Sequence, residues 1–389
     1  MGSVLWDLPG AVAAAIGEAA ERYSGNIVPP GLRRASFEQL QAADEDALDP
    51  TGLALYSDAQ YNERGFPFCR FPPDLPVRWV EGQDVLTRAP VWVPASLVWT
   101  NYFAHGFSVG EPITNATVYA GIAAGSDRTH AESSAVRELI ERDAMTLTWT
   151  TGATGARLQA PHWLERLASG PTGELRTTFV TFPSDFGAPC VGALMRDQVR
   201  GYLTLGTAWY PDVTAAACVK ALAEAAHIQT VMADLNDPDS AFGPLTRSPD
   251  SPLKPWRQDR SYLLDYRPDW HDAVDPGCHM QAYLDPQLAD DLERELTSWP
   301  LLDSEMHEPL GSPPAMDLPG IVATLTDAGI RAVSVDVTTS DVRRAGLSVV
   351  RVIASGLYSN GAAAFPFLGG TRMDRRANGT GLRLQPLPH

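Results

Sequence analysis

The same short acidic pattern occurs twice, on two alanine-rich segments that are distant in the chain. Glu18-Ala-Ala-Glu21-Arg22 recurs as Glu138-Leu-Ile-Glu141-Arg142, with identical spacing and about 120 residues between the copies. Glutamates at positions i and i+3 lie on one face of a helix, where two like charges destabilise it by about 0.2–0.5 kcal/mol unless a cation lies between them. The repeat therefore predicts two helices whose carboxylates converge on one site.

The residue types in this pattern suit a metal and a phosphate. Carboxylate oxygens are good ligands for Mg²⁺, and the arginine after each pair presents a planar fork that matches a phosphate. The structural alternative is an ordinary Glu138–Arg142 ion pair on an exposed helix. We favour the site because both helices are too apolar around the motif to be freely exposed. Ala221-Leu-Ala-Glu224 is a candidate third wall.

Helices and strands alternate along the chain without a clear linker, which favours one large α/β unit. Helices are predicted over residues 11–23, 131–148, 215–235 and 319–328, and Thr129 is expected to cap the second of them. Strands are predicted over residues 77–80, 91–93, 175–181, 190–195, 202–208, 331–337 and 347–353. We expect a single domain over residues 1–389 with a core from about 15 to 374, a surface excursion or lid over 240–275, and a proline-containing tail over 375–389.

Charge and composition exclude several classes of function. The chain carries 47 acidic against 30 basic residues, a formal net charge of −17, so we expect no nucleic-acid partner. No apolar run reaches the length of a membrane span, and the N-terminus lacks the basic segment of a signal peptide. The four cysteines are far apart and form no CxxC pair. We therefore expect a cytoplasmic protein with reduced thiols and no membrane partner.

The second copy of the pattern lies within a longer motif. It reads Ser134-Ala-Val-Arg-Glu138-Leu-Ile-Glu141-Arg142-Asp143-Ala144 and follows Gly121-Ile-Ala-Ala-Gly125. With Glu18–Tyr23 before it and Lys220-Ala-Leu-Ala-Glu224 after it, this order of motifs resembles the YcaO-domain family. Segments 335–338, 349–353, 356–357 and 367–370 are similar to its azoline-forming (TOMM) peptide cyclodehydratases.

The resemblance implies a mixed α/β (α+β) fold, built as a single large YcaO-like unit with internally repeated helix–sheet halves. It implies ATP and Mg²⁺ as cofactors, at a site that is not a P-loop, and the sequence indeed has no GxxxxGK[ST]. The magnesium ligands that it implies are Glu18, Glu21, Glu138 and Glu141. The ATP-binding residues that it implies are Ser134, Arg142, Arg22 and Gln229.

The activity that the resemblance implies is ATP-dependent activation of backbone amides in a ribosomally synthesised peptide. A Cys, Ser or Thr side chain attacks the carbonyl, the amide oxygen is phosphorylated, and loss of phosphate leaves a thiazoline or oxazoline. Related family members make a thioamide or a macroamidine. The competing hypotheses are a non-catalytic YcaO-like scaffold and a metal-dependent hydrolase that needs no arginine.

Some positions differ from the family pattern. Ala14 replaces a serine, an upstream lysine is missing, and His227 and Gln229 stand where the family carries glutamine and arginine. The chain ends Pro386-Leu-Pro388-His389, which is similar to the PxPxP tail that enters the active site of azoline-forming relatives. Apart from these three tail residues, Pro386, Pro388 and His389, no catalytic residue is assigned.

We expect a precursor peptide as substrate, a separate leader-peptide-binding partner protein and a homodimer.

Overall fold

The computed structural model describes residues 7–104, 108–302, 317–377 and 381–388. The α-helices in these residues are α1 (Leu8–Ser24), α2 (Phe37–Ala42), α3 (Asp58–Tyr61), α4 (Arg128–Thr151), α5 (His162–Ala168), α6 (Ala215–Leu235), α7 (Gly243–Arg247), α8 (Pro276–Ala282), α9 (Pro286–Ser298), α10 (Leu318–Asp327), α11 (Ser340–Arg344) and α12 (Thr371–Ala377). The strands are β1 (Arg33–Ala35), β2 (Val77–Asp84), β3 (Pro90–Pro94), β4 (Ile122–Gly125), β5 (Ala156–Leu158), β6 (Leu175–Phe182), β7 (Cys190–Asp197), β8 (Leu203–Ala208), β9 (Leu301–Leu302), β10 (Ala332–Asp336) and β11 (Ser348–Ala354).

The strands form two sheets. The first has the order β1-β2-β10-β11-β4, with β3 also paired to β2, and the second has the order β8-β7-β6-β5-β9. Neighbouring strands are antiparallel except β5 and β9. Strand β4 is therefore an edge of the first sheet and β8 an edge of the second. The predicted mixed α/β fold is confirmed, with helices covering both sheets.

Helix α4 is the longest helix and lies between the two sheets. The Asp127 side chain caps its first turn by accepting a hydrogen bond from the His130 N–H, and Gly152, in the left-handed conformation, ends it. Ala135, Val136 and Ile140 are buried in a core that includes residues of β11 and β7. The predicted cap at Thr129 was two residues late, because Asp127 provides the capping carboxylate.

Helix α1 packs against β4 through small residues and leaves its opposite face in solvent. Gly17 lies against Ala124, and Ala20 is buried. Leu8 and Ile16, on the outer face, are 76% and 55% exposed. The expectation that this helix is too apolar to be freely exposed was therefore wrong for its outer face, because only the side that packs against β4 is covered.

The remaining predicted helices and strands occur with shifts of a few residues at their ends. Segment 240–275, expected as a surface excursion or lid, contributes the buried side chains of Tyr262, Tyr266 and Trp270 to the large core. The four cysteines are free thiols, and three of them are buried. Among the described helices, none combines the length and the apolar character that crossing a membrane requires.

Candidate active site

The candidate site is formed where the edges of the two sheets lie on either side of α4. An edge strand leaves backbone N–H groups without partners in its sheet. Glutamate carboxylates bind backbone N–H groups of two residues at β4 and of two residues at β8, each pair lying within the strand or directly next to it. The repeated glutamates therefore have a local structural role as well as a candidate ligand role.

At the first edge, one carboxylate approaches from each helix that covers β4. Glu21 of α1 accepts a hydrogen bond from the Ala124 N–H at 2.7 Å, and Glu138 of α4 accepts one from the Gly121 N–H at 2.9 Å. Burial, the field of Glu18 and the field of Glu138 together raise the pKa of Glu21 to about 8. Glu21 of the first repeat and Glu138 of the second are thus near enough for the charge of one to shift the pKa of the other.

At the second edge, the carboxylates come from α4 and α6. Glu141 accepts hydrogen bonds from the Thr207 hydroxyl at 2.7 Å and from the Trp209 N–H at 3.3 Å. Glu224 accepts one from the Thr207 N–H at 2.9 Å. The third motif therefore supplies a carboxylate that mirrors the role of Glu21 at the first edge.

Arg142 lies between these carboxylates. Its guanidinium nitrogens are 2.9 Å from a Glu141 oxygen, 3.6 Å from a Glu224 oxygen and 3.9 Å from a Glu138 oxygen. It also donates to the Thr207 hydroxyl at 3.1 Å. Burial lowers the pKa of Arg142, but the three carboxylates outweigh it and the net pKa is raised. Arg142 stays charged and joins the two halves of the site.

The atoms of this site that could bind a metal ion are carboxylate oxygens, and the site has more acidic than basic side chains. Burial also raises the pKa of Glu138, although Arg142 and the Gly121 N–H oppose this. No group of three or more His, Cys, Asp or Glu side chains within the described residues has the geometry of a metal site. Mg²⁺ is usually held by one or two carboxylates together with substrate phosphates and water rather than by a cage of protein ligands. The carboxylates at the two edges fit that mode of binding.

Three other predicted site residues lie at the margin of this cluster. Glu18 is 3.2 Å from Arg22 in an ion pair, and the Arg22 side chain is 74% exposed. Ser134 lies one turn before Glu138 on α4 and accepts a hydrogen bond from Arg137. Their assignment to magnesium or nucleotide stays a prediction.

Gln229 lies away from the carboxylates. It is buried, and its amide nitrogen donates to the carbonyls of Met195 and Tyr202 and to the Thr204 hydroxyl. Through these hydrogen bonds, the turn of α6 that follows Glu224 is attached to β7 and to the start of β8. His227, on the same helix, is half-buried, and burial lowers its pKa although Glu18 and Glu224 oppose that shift.

The C-terminal tail packs on the far end of α4. Trp149 donates to the carbonyl of Gln385 at 2.9 Å, and Tyr283 donates to the carbonyl of Pro386 at 3.0 Å. Pro386 and Pro388 are buried. His389 lies outside the described residues. A catalytic role of this tail stays a prediction.

Sequence reasoning missed two polar residues of the site. Thr207 binds Glu141, Glu224 and Arg142, but a threonine in a strand carries no signal of such a role. Arg351, a buried arginine of β11, had a signal, because an arginine inside the apolar run Val349–Ile353 requires polar partners.

A family model described as YcaO cyclodehydratase, ATP- and Mg²⁺-binding, matches residues 8–358. No curated protein sequence matches the chain. Among solved structures, a heterocyclase in complex with substrate and cofactor is 18% identical with a TM-score of 0.61, over 92% of this chain and 44% of that one. The chain thus spans less than half the length of that heterocyclase.

Two further structures show the same fold. The YcaO protein from Methanopyrus kandleri bound with AMPPCP and Mg²⁺ is 18% identical with a TM-score of 0.54, over 90% of this chain and 76% of that one. A chain of the E. coli microcin synthetase McbBCD complex is 11% identical with a TM-score of 0.63, over 98% of this chain and 89% of that one.

Proposed function

The chain belongs to the YcaO cyclodehydratase family, and we propose that it uses ATP and Mg²⁺ to convert Cys, Ser or Thr residues of a ribosomally synthesised peptide into azolines. The observation that carries this proposal is the arrangement of Glu138, Glu141 and Glu224 around Arg142, with Glu21 at the neighbouring strand edge. It offers oxygen ligands for a divalent ion and a fixed guanidinium for a phosphate.

Each residue has a role that follows from its position. Glu21, Glu138, Glu141 and Glu224 offer carboxylate oxygens from the two strand edges, and one or two of them would bind each Mg²⁺ ion together with phosphate and water, with Glu18 at the rim. Arg142 binds a phosphate oxygen with donors that its carboxylates keep oriented. Bound MgATP supplies the phosphoryl group that turns the amide oxygen into a leaving group. The peptide loses its amide oxygen to phosphate, and ATP becomes ADP.

The position of Arg142 supports a phosphate-binding role rather than that of an exposed structural ion pair. Its side chain is only 12% exposed, and it faces carboxylates from two helices rather than one. An exposed i,i+4 pair would stabilise the fold by less than about 1 kcal/mol and would not require such burial. A carboxylate-based hydrolase would not need this arginine.

The partners of this activity are part of the proposal. The substrate is a precursor peptide, delivered by a separate leader-peptide-binding protein, and the enzyme acts as a cytoplasmic homodimer. Neighbouring folds support the peptide and the partner, since one was solved with substrate and another as part of a synthetase complex. Light scattering of the purified chain tests the dimer.

The direct test follows the amide oxygen. A precursor peptide with a heavy-oxygen label in the carbonyl before a Cys or Ser is incubated with the chain, its partner protein, ATP and Mg²⁺. We expect the peptide to lose one water mass per ring and the label to appear in phosphate. The control peptide has alanine in place of the Cys or Ser.

Other outcomes identify the alternatives. Uptake of sulfide, or ring closure by a peptide amine, assigns the chain to the thioamide- or amidine-forming relatives. Absence of phosphate release with every candidate peptide contradicts the proposal and favours the scaffold. Label in a free carboxylate instead of phosphate indicates a hydrolase.

A further inference from the structure

Arg351 is a fully buried arginine without an acidic partner. It lies on β11, opposite Ile122 of β4, and is 1% exposed. No described carboxylate forms an ion pair with it. A buried, unpaired charge is unfavourable, and replacement of buried ionic groups by apolar residues is often neutral or stabilising. The presence of this charge therefore needs an explanation beyond stability.

The hydrogen bonds of Arg351 converge on the chain that leads into β4. Its Nη1 donates to the carbonyls of Tyr119 and Ala120 at 3.2 and 2.6 Å, and its Nε donates to the carbonyl of Val98 at 3.0 Å. Two consecutive carbonyls are thus turned toward one guanidinium. The following residue, Gly121, points its N–H toward Glu138.

The backbone conformation at Gly121 is one that glycine adopts readily and other residues do not. Gly121 has a φ of +90°, and a Cβ at this position would lie 2.4 Å from the Val352 carbonyl oxygen. Residues with a Cβ rarely adopt this conformation. The guanidinium of Arg351 binds the carbonyl groups of the two residues before Gly121. The backbone oriented in this way directs the Gly121 N–H toward the Glu138 carboxylate.

Arg351 also places positive charge beside strand β4 and the residues that lead into it. Burial lowers its pKa to about 10, and the fields of Glu138 and Glu21 oppose that shift, so it is charged at neutral pH. Its Nη2 has no hydrogen-bond partner in the described residues, and the side chain lines a cavity of about 50 Å³ that also borders Ala120 and Leu139. The guanidinium is therefore positioned by carbonyls and not by a carboxylate.

We propose, on the basis of the proposed function, that Arg351 is a positioning residue for the metal–nucleotide site. Its guanidinium fixes residues 119–121 so that the Gly121 N–H holds the Glu138 carboxylate in its binding orientation. Arg351 does not contact the nucleotide. Its loss acts through Glu138 and weakens the binding of MgATP.

The test compares MgATP binding by Arg351→Met, Arg351→Lys and the wild-type chain, using equilibrium binding of a fluorescent ATP analogue across a magnesium titration. We expect Arg351→Met to raise the magnesium concentration for half-saturation by about 10-fold or more. Arg351→Lys keeps the charge but not the fork, and we expect an intermediate increase. The matched control is Arg196→Met, which removes a buried arginine of β7 that pairs with Glu293 and Asp290.

The outcomes separate this inference from the proposed function. If the wild-type chain binds no MgATP, the proposed function fails. If the wild-type chain binds it and both Arg351 variants bind within 2-fold of wild type, the positioning role is overturned. Should Arg351→Met not fold, Arg351→Lys decides alone, because wild-type affinity in that variant contradicts a role for the fork.

Discussion

Arg142 and Arg22 occupy the same position of the repeated motif but differ in exposure. The side chain of Arg142 is only 12% exposed, whereas that of its counterpart Arg22 is 74% exposed. The difference arises because α4 lies between two sheets and α1 lies on the outside of one. Two identical sequence patterns therefore give one central and one marginal arginine.

We expect Arg142→Lys to lower the rate of phosphate release by about 30- to 1000-fold, which corresponds to about 2–4 kcal/mol of transition-state stabilisation. The substitution keeps the charge but loses the planar fork. The measurement is phosphate release with cognate peptide, ATP and Mg²⁺. The control is Arg294→Lys, in an exposed pair with Asp291 on α9, for which we expect no change. Near-wild-type turnover in Arg142→Lys would show that Arg142 forms only a structural ion pair.

His279 provides a residue-scale prediction about pH. Its ring accepts a hydrogen bond from the Ala363 N–H and also bonds the backbone of Leu387 in the tail. Burial lowers its pKa from 6.5 to about 4. Between these values the unfolded chain binds a proton that the folded chain does not, so the free energy of unfolding falls as the pH decreases from about 6.5 to about 4.

We expect His279 to account for up to about 3 kcal/mol of that fall. The measurement is urea unfolding of wild type and His279→Gln at several pH values between 4 and 7. The variant should show a flatter dependence over this interval. His162→Gln, at an exposed position on α5, is the control and should follow wild type. A variant slope equal to that of wild type would contradict the lowered pKa.

At the scale of elements, α12 is attached to α4 by a buried ion pair. Arg372 makes two hydrogen bonds of 2.7 Å to Asp143, which directly follows Arg142 in the chain. Arg372 also binds Asp185 in the loop between β6 and β7. This cluster joins the C-terminal segment to the helix that carries the candidate site.

We expect Arg372→Met to lower the free energy of unfolding by about 3–5 kcal/mol, because it leaves Asp143 buried and unpaired. The double variant Asp143→Asn/Arg372→Met should lose less than the sum of the two single variants. Urea unfolding measures all three. Arg294→Met, which breaks an exposed pair, should cost less than about 1 kcal/mol. Equal stability of Arg372→Met and wild type would refute the buried pair.

At the scale of the whole molecule, the formal net charge of −17 acts against binding of a free triphosphate. A cation must therefore accompany the nucleotide. MgATP at 100 times its Kd should stabilise the fold by about 2.7 kcal/mol. For a chain of 389 residues, that corresponds to a rise in Tm of about 3 °C.

Thermal unfolding with ATP and Mg²⁺, with ATP and a chelator, and with Mg²⁺ alone checks this expectation. The rise in Tm should occur only in the first condition. A rise that survives chelation would contradict the ligand role of the carboxylates. The test requires neither a peptide nor a partner protein.

The sequence alone predicted the alternating fold class, the long helices and the glutamates that lie at the candidate site. These depend on local patterns, since helix periodicity, capping residues and the i,i+3 spacing of carboxylates are set within one or two turns. The resemblance to the family then assigned some of these residues to ATP and Mg²⁺, and that assignment stays a prediction.

The tertiary structure decided which predicted residues meet. Strand β4 is only Ile-Ala-Ala-Gly, a sequence with little strand propensity, and it becomes an edge strand because it pairs with β11, more than 200 residues later. That pairing leaves the N–H groups of Ala124 and Gly121 available to Glu21 and Glu138, and it places Arg351 opposite Ile122. Long-range pairing has no local signal, so sequence reasoning identified the carboxylates but not the strand edges that orient them.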